Sequence, residues 1–185
     1  MGDEALRARY EDFEIIGGAR DTRIVYMRTD VPPGLNEAAD IMNLQGFRIG
    51  GYGASDMMDV MTRLGLDILG VEYDYVPGYG GGSDIYAAML RNEVHMHNTS
   101  VSSYYSRSGD MLESGEAMGV YYVNSLNERG EYATVPELAD EMPSYIELYQ
   151  QVHGTLPSGP EWEALNWLVS MVNDVTFVVL APPGT

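Results

Sequence analysis

Two short runs in the chain carry residue types that can do chemistry at their spacing. One is Gly50-Gly51-Tyr52-Gly53-Ala54-Ser55-Asp56 and the other Gly78-Tyr79-Gly80-Gly81-Gly82-Ser83-Asp84. Each places glycines, whose bare backbone admits a close neighbour, directly before a serine and an acid. If each run turns a strand into a helix, the helix start offers unpaired N–H groups and a partial positive charge. That suits a small anion, a carboxylate above all. Ser55 and Ser83 then either cap their helices or donate a hydroxyl to a ligand. The plainer alternative, a tight strand–helix turn with a capping serine, stays open at this point. Neither run is a nucleotide or nucleophile motif. Gly51 to Asp56 lacks the third glycine of GxGxxG, no lysine follows Gly78 to Gly82, and GxSxG is not matched.

Other candidates are weaker. Glu93, His95 and His97 alternate, which on a strand puts them on one face at a spacing a metal could use, with Asp84 or His153 as a fourth ligand. The competing reading is polar residues at a sheet edge, or pH-sensitive contacts near a cleft. A hydrolase would need Ser55 or Ser83 beside His95 and an aspartate, and no ordered motif supports one. Tyr104 and Tyr105, within Ser102 to Ser106, offer flat faces and hydroxyls for a pocket, or simply a surface helix.

The elements that must position these residues follow from periodicity. Arg23–Arg28, Phe47–Gly50, Val71–Val76, Val94–Asn98, Ala117–Val123 and Thr176–Leu180 read as strands, the last as a buried one. Leu35–Leu44, Asp56–Leu64 (ended by Gly65), Ser83–Asn92, Ser100 onward, Pro136–Val152 (interrupted by Pro143) and Pro160–Met171 read as helical. Met57, Met58 and Met61 form a core-packing face. Trp167 is expected in the core and Trp162 at the surface or hinge. Glu128, Glu131, Glu137, Asp140 and Glu141 form a solvated face or a docking face for a membrane partner. Strands alternating with helices of about ten residues indicate an α/β domain with a mainly parallel sheet flanked by helices.

Composition narrows the function. The 185 residues carry 28 acids against 10 basic residues, all arginine, for a net charge of −18, with no cysteine. Disulfides, thiolate chemistry and lysine Schiff bases are excluded. Such a surface repels nucleic acid and anionic membrane. It suits solubility in strong salt or an acidic docking face. The N–H groups of the two turns answer the objection that so acidic a chain should repel anions, because the local dipoles set the contact field. No apolar run approaches the ~20 residues that span a bilayer, and MGDEALRARYEDF at the start has no apolar signal core.

The same residues carry a family resemblance. Gly78-Tyr-Gly-Gly-Gly-Ser-Asp-Ile-Tyr-Ala-Ala-Met-Leu-Arg-Asn-Glu-Val94 resembles the GYxGGxDIxLAMxRGEV signature of the substrate-binding proteins of tripartite tricarboxylate transporters, the TctC-like or Bug group. Asp12 to Gly17, Ile24 to Asp30, Phe47 to Gly51, Leu66 to Gly70, Pro157 to Pro160 and Ala181 to Thr185 resemble further family segments in the same order. Asn92 departs from the family glycine, and His95 stands where members often carry Asp. The resemblance implies one lobe of a type 2 periplasmic-binding fold, a second-lobe fragment with the first lobe and signal peptide absent. Residues 1–22 would be a hinge lead-in, 23–175 the ligand-binding lobe, and 176–185 a return strand and hinge segment. It further implies a periplasmic, non-enzymatic receptor for a small organic carboxylate or dicarboxylate. Membrane subunits of the transporter would be its partners, without direct membrane insertion, cofactor or metal. By resemblance the ligand-facing residues are Tyr52, Gly53, Ala54 and Ser55; Tyr79, Gly80, Gly81, Gly82, Ser83 and Asp84; and Asn98, Thr99 and Ser100. The hydrolase and the ligand-free acidic interaction domain are the alternatives.

Overall fold

A computed structural model of the chain describes residues 12–19, 21–125, 131–173 and 177–182. Its centre is a five-stranded sheet built of β2 (Arg23–Arg28), β3 (Arg48–Gly50), β4 (Asp74–Val76), β5 (Met96–Ser100) and β6 (Ala117–Tyr122), in the order β4-β3-β5-β2-β6. β3 pairs in parallel with β4 and β5, while β2 runs antiparallel to both β5 and β6. Four strands therefore share one direction and β2 opposes them, so the sheet is mainly parallel in direction, as expected. This arrangement brings the carboxyl ends of four strands and the start of β2 to a single edge.

Alternation along β2 sorts the core into two layers. Val25 and Met27 join Ile49, Met61, Met96, Tyr121 and Leu165 on one face. Ile24 and Tyr26 join Ile85, Met89, Val94 and Tyr104 on the other. Helices α1 (Met57–Leu69), α5 (Tyr145–His153) and α6 (Pro160–Asn173) belong with the first layer. α2 (Gly82–Leu90), α3 (Val101–Glu113) and the short α4 (Pro136–Ala139) belong with the second. The acidic residues Glu131, Glu137, Asp140 and Glu141 are exposed, and Glu141 accepts a hydrogen bond from Tyr105 at 2.9 Å; Glu128 lies outside the described residues.

Several elements differ from the sequence expectation. Gly65 does not end α1. The helix continues to Leu69 and stops at Gly70, which takes the left-handed conformation at φ 78°. A side chain on Gly65 would meet Tyr121 Oη at 3.3 Å, and the Tyr145 hydroxyl donates to its carbonyl at 2.8 Å, so this glycine makes room for two tyrosines. Leu35–Leu44 yields only a 3-10 helix, Ala38–Asn43. The two tryptophans exchange roles: Trp162 stacks on Tyr145, with centroids 5.6 Å apart, while Trp167 is 62% exposed. Their five-residue separation turns them to different sides, and the buried Leu165 and Val169 occupy the core-facing positions of α6.

The C-terminal strand is also not buried. β7 (Phe177–Ala181) pairs antiparallel with β1 (Glu14–Ala19) in a separate two-stranded ribbon, and Val178 and Val179 are exposed together with Ile15 and Ile16. Only two strands pair here, so the apolar residues gain no second sheet face to cover them. Thr176, the expected first residue of this strand, lies outside the described residues.

Candidate functional site

Both Gly–Ser turns leave the same sheet edge, one after β3 and the other after β4. They are bonded to each other. Gly51 N–H donates to the Val76 carbonyl at 3.0 Å, and Tyr79 N–H donates to the Gly51 carbonyl at 3.1 Å. The strand directions also bring the end of β5 and the start of β2 to this edge, where Ser100 and Arg23 are register partners.

The first turn is closed on itself. Asp59, buried on the first turn of α1, accepts hydrogen bonds from Tyr52 N–H at 2.6 Å, Gly53 N–H at 2.9 Å and the Tyr75 hydroxyl at 2.7 Å. The N–H groups expected to face a ligand are thus already used. Ser55 is not the cap of α1. Asp56 is, its carboxylate accepting from Met58 and Asp59 N–H, because a carboxylate one residue on reaches the free N–H groups that Ser55 does not. Ala54 and Ser55 are exposed, and the Ala54 carbonyl accepts from the Arg63 guanidinium at 2.6 Å.

The second turn is open. Gly81, with an extended backbone and no side chain to cap, precedes α2, so Ser83 sits inside the helix rather than at its cap. Asp84 and Ile85 N–H both return to the Gly81 carbonyl. Gly82 and Ser83 N–H carry no hydrogen bond to a described residue, as the first amides of a helix do when nothing caps them. Gly80, Ser83 and Asp84 are exposed, and Tyr79 packs partly against the α2 layer of the core.

Three polar tips converge above Gly82. A Cβ placed on this residue would stand 2.7 Å from Arg107 Nη1, 3.4 Å from His97 Nε2 and 3.4 Å from the Tyr52 hydroxyl. His97 belongs to β5 and is 3% exposed. Its ring lies edge-on between Tyr26, at 6.0 Å, and Tyr52, at 6.1 Å. Its pKa is pushed down to about 3, first by burial and then by the Arg107 and Arg23 guanidinium groups. The ring is therefore neutral, with one N–H and one lone pair. Burial raises the Tyr52 pKa, with Arg23 the first opposing charge. Arg23 Nε is itself buried without a hydrogen-bond partner. No hydrogen bond or ion pair to a described residue holds the Arg107 guanidinium, although α3 carries it at this edge. Sequence reasoning missed Arg23, His97 and Arg107 as a group. The scarcity of positive charge in the chain was the one signal that could have drawn attention to its arginines.

The remaining candidates are placed as follows. Asn98 faces the opposite layer, buried, donating from Nδ2 to the Thr62 hydroxyl at 2.7 Å. Thr99 is buried within β5, and Ser100 caps α3 by accepting from Ser103 N–H. Glu93 is exposed and paired with Arg91, His95 Nδ1 accepts from Arg48 N–H at 2.9 Å, and His97 packs between Tyr26 and Tyr52, so the alternating Glu93, His95 and His97 do not converge on one site. Among the described residues no group of three acidic or histidine side chains is arranged to hold a metal. No histidine hydrogen-bonds Ser55 or Ser83 among the described residues. A concavity of 630 Å³ at the opposite edge, where β3 and β4 begin, is lined by Asp67, Glu72 and Asp74 and is electrostatically wrong for an anion.

No protein-family model and no curated protein sequence matches the chain. Solved structures do resemble it. The periplasmic binding protein BugD is 19% identical with a TM-score of 0.52, the match covering 86% of this chain and 52% of that one. Rpa4515 of R. palustris, solved with adipate, is 19% identical with a TM-score of 0.54, covering 86% and 54%. The likeness shows the fold of a periplasmic-binding-protein lobe, and the chain spans about half the length of these structures, 52% and 54%. No helix among the described residues is long and apolar enough to cross a membrane.

Proposed function

We propose that the chain is the second lobe of a TctC-like solute-binding protein and presents half of a cleft for a small organic carboxylate or dicarboxylate. One observation carries this reading. Arg23 and Arg107, in a chain of net charge −18, stand around the open start of α2 without an acidic partner among the described residues. Arg23 is half-buried, and a guanidinium so placed loses hydration without compensation; the exposed Arg107 adds a second charge that no described carboxylate holds, so the pair beside free N–H groups marks a place where an anion completes the set. The other arginines among the described residues, Arg28, Arg48, Arg63 and Arg91, all hold carboxylates or carbonyls.

On this reading the ligand lies over Gly82 and Ser83, with Arg107 and Arg23 as charge partners and the Tyr52 hydroxyl at its side. The first turn, Tyr52 to Ser55, forms a wall rather than a donor. Residues 23–175 are the lobe, and the segments 1–22 and 176–185, which contain the paired strands β1 and β7, are its hinge. No bond chemistry takes place, the location is periplasmic, and closure of a facing lobe passes ligand to membrane subunits of a tripartite transporter. The likeness to BugD, a periplasmic binding protein, and to Rpa4515, solved with adipate, supports this reading.

The test is an amide-resolved NMR titration of the chain with adipate and succinate, which reads millimolar binding to half a cleft. Gly82 and Ser83 amides and the Arg107 side chain should shift, and the shifts should fade as salt rises. Shifts confined to the 630 Å³ concavity, or none with either carboxylate, overturn the reading.

A further inference from the structure

The mechanism of anion capture leaves one buried polar group at this edge unused. His97 is 3% exposed, its ring nitrogens make no hydrogen bond to a described residue, and the little solvent contact the residue keeps includes them. Its Nε2 is aimed at the start of α2, within 3.4 Å of the point where a Cβ on Gly82 would stand, beside the Tyr52 hydroxyl and Arg107. Tyr26 and Tyr52 hold the ring from two sides, so it cannot swing away to find another partner.

We propose that His97 is a specificity-determining residue that reads an uncharged hydroxyl next to the bound carboxylate, so that the lobe takes 2-hydroxycarboxylates in preference to the same acids without the hydroxyl. This rests on the carboxylate reading above and deepens it. The two arginines and the α2 N–H groups supply charge for the carboxylate itself. A neutral imidazole flanked by two guanidinium groups adds no charge, but it offers a fixed hydrogen-bonding site more deeply buried than the exposed Arg107. A ligand hydroxyl both donates and accepts, so it satisfies the ring whichever nitrogen carries the proton. A ligand lacking the hydroxyl covers Nε2, takes away its remaining water contact and leaves it without a partner, and sites built this way discriminate against the deoxy analogue.

The test compares succinate with 2-hydroxysuccinate (malate), one hydroxyl apart, on the chain as it stands. Amide titration should give about tenfold tighter binding of the hydroxy acid. The His97 ring nitrogens, observed directly, should shift with the hydroxy acid and stay in place with succinate. In His97→Phe the ratio of the two affinities should collapse to about one, whereas His97→Gln, neutral and able to hydrogen-bond, should keep part of it. Equal affinities in the wild-type chain, a ring that shifts alike with both acids, or a ratio that survives in His97→Phe each overturn the proposal while leaving the carboxylate site intact. If neither acid moves the Gly82 and Ser83 amides, the carboxylate reading fails and this proposal fails with it. The wild-type ratio and the ring shifts need no variant to fold.

Discussion

The turn after β3 and the turn after β4 share glycines, a tyrosine, a serine and an aspartate, and they end in opposite states. In the first, Asp59 reaches back from α1 and takes the Tyr52 and Gly53 N–H groups, with the Tyr75 hydroxyl as a third donor. In the second, no side chain caps α2 and its first amides stay open. What separates them is one buried carboxylate three residues beyond the Asp56 cap. It spends the local donors on rigidity in the first turn. The equivalent place in α2, three residues beyond the Gly81 cap, is Asp84, which is exposed and accepts no hydrogen bond from a described residue, so the donors of the second turn stay open.

Substituting the glycines should break this contrast most visibly. In Gly51→Ala the new Cβ would stand 2.5 Å from the Tyr75 ring and 2.6 Å from Asp59 Oδ2. Both groups are fixed by their hydrogen bond, so a loss of about 3 kcal/mol in urea unfolding is expected. Gly82→Ala should not destabilise, because its one close contact is the free end of Arg107 and alanine is the better helix former by up to about 1 kcal/mol. It should instead weaken carboxylate binding. Equal destabilisation by the two would erase the distinction between a locked and an open turn.

Asp59→Ala should cost about 2 kcal/mol by stranding three donors, and should broaden the Tyr52 and Gly53 amides. Asp84→Ala, in the open turn, should change stability by less than about 0.5 kcal/mol.

Acid titration sharpens the comparison at the open turn. His97 has a folded-state pKa of about 3 against an ordinary 6.5. The unfolded chain therefore binds a proton that the folded chain refuses between those values. The stability tied to a neutral His97 is complete above 6.5 and is lost as pH falls toward 3, at about 1.4 kcal/mol per pH unit. His97→Phe should flatten the fall in stability between pH 6 and 4, measured by urea unfolding across that range. An unchanged slope would place the ring in contact with water.

Arg23→Met should raise stability by about 1 kcal/mol, since it removes a half-buried charge that has no partner among the described residues, and should weaken carboxylate binding about tenfold. A loss of stability would show that Arg23 serves the fold instead. The smallest effects belong to the two serines. Neither caps a helix, so Ser55→Ala and Ser83→Ala should each stay within about 0.5 kcal/mol of the parent in thermal unfolding. Asp56→Ala, which removes the true cap of α1, should cost about 1 kcal/mol.

Much of this molecule was determined by its sequence alone. Strand–helix alternation, the helix that starts after Ser55, the one that starts at the Gly-rich run, and the Pro160 helix follow from short-range rules of period and turn chemistry, which act within a few residues and need no tertiary partner. The placing of both Gly–Ser turns at carboxyl ends of strands follows in the same way. Burial and pairing required the folded structure. Val178 and Val179 read as core and are exposed, because a strand's burial depends on how many neighbours its sheet acquires. Gly65 reads as a helix stop and is a packing site, because Tyr121 and Tyr145 arrive from positions 56 and 80 residues away to fill the space it leaves. The site itself was decided the same way. Arg23, Tyr52, Gly82, His97 and Arg107 have no common spacing along the chain. They meet because β2 runs against its neighbours and delivers its first residue to the edge where the other strands end. The net charge is set by composition, but which two arginines stand without a partner among the described residues, and at which edge, is set by topology.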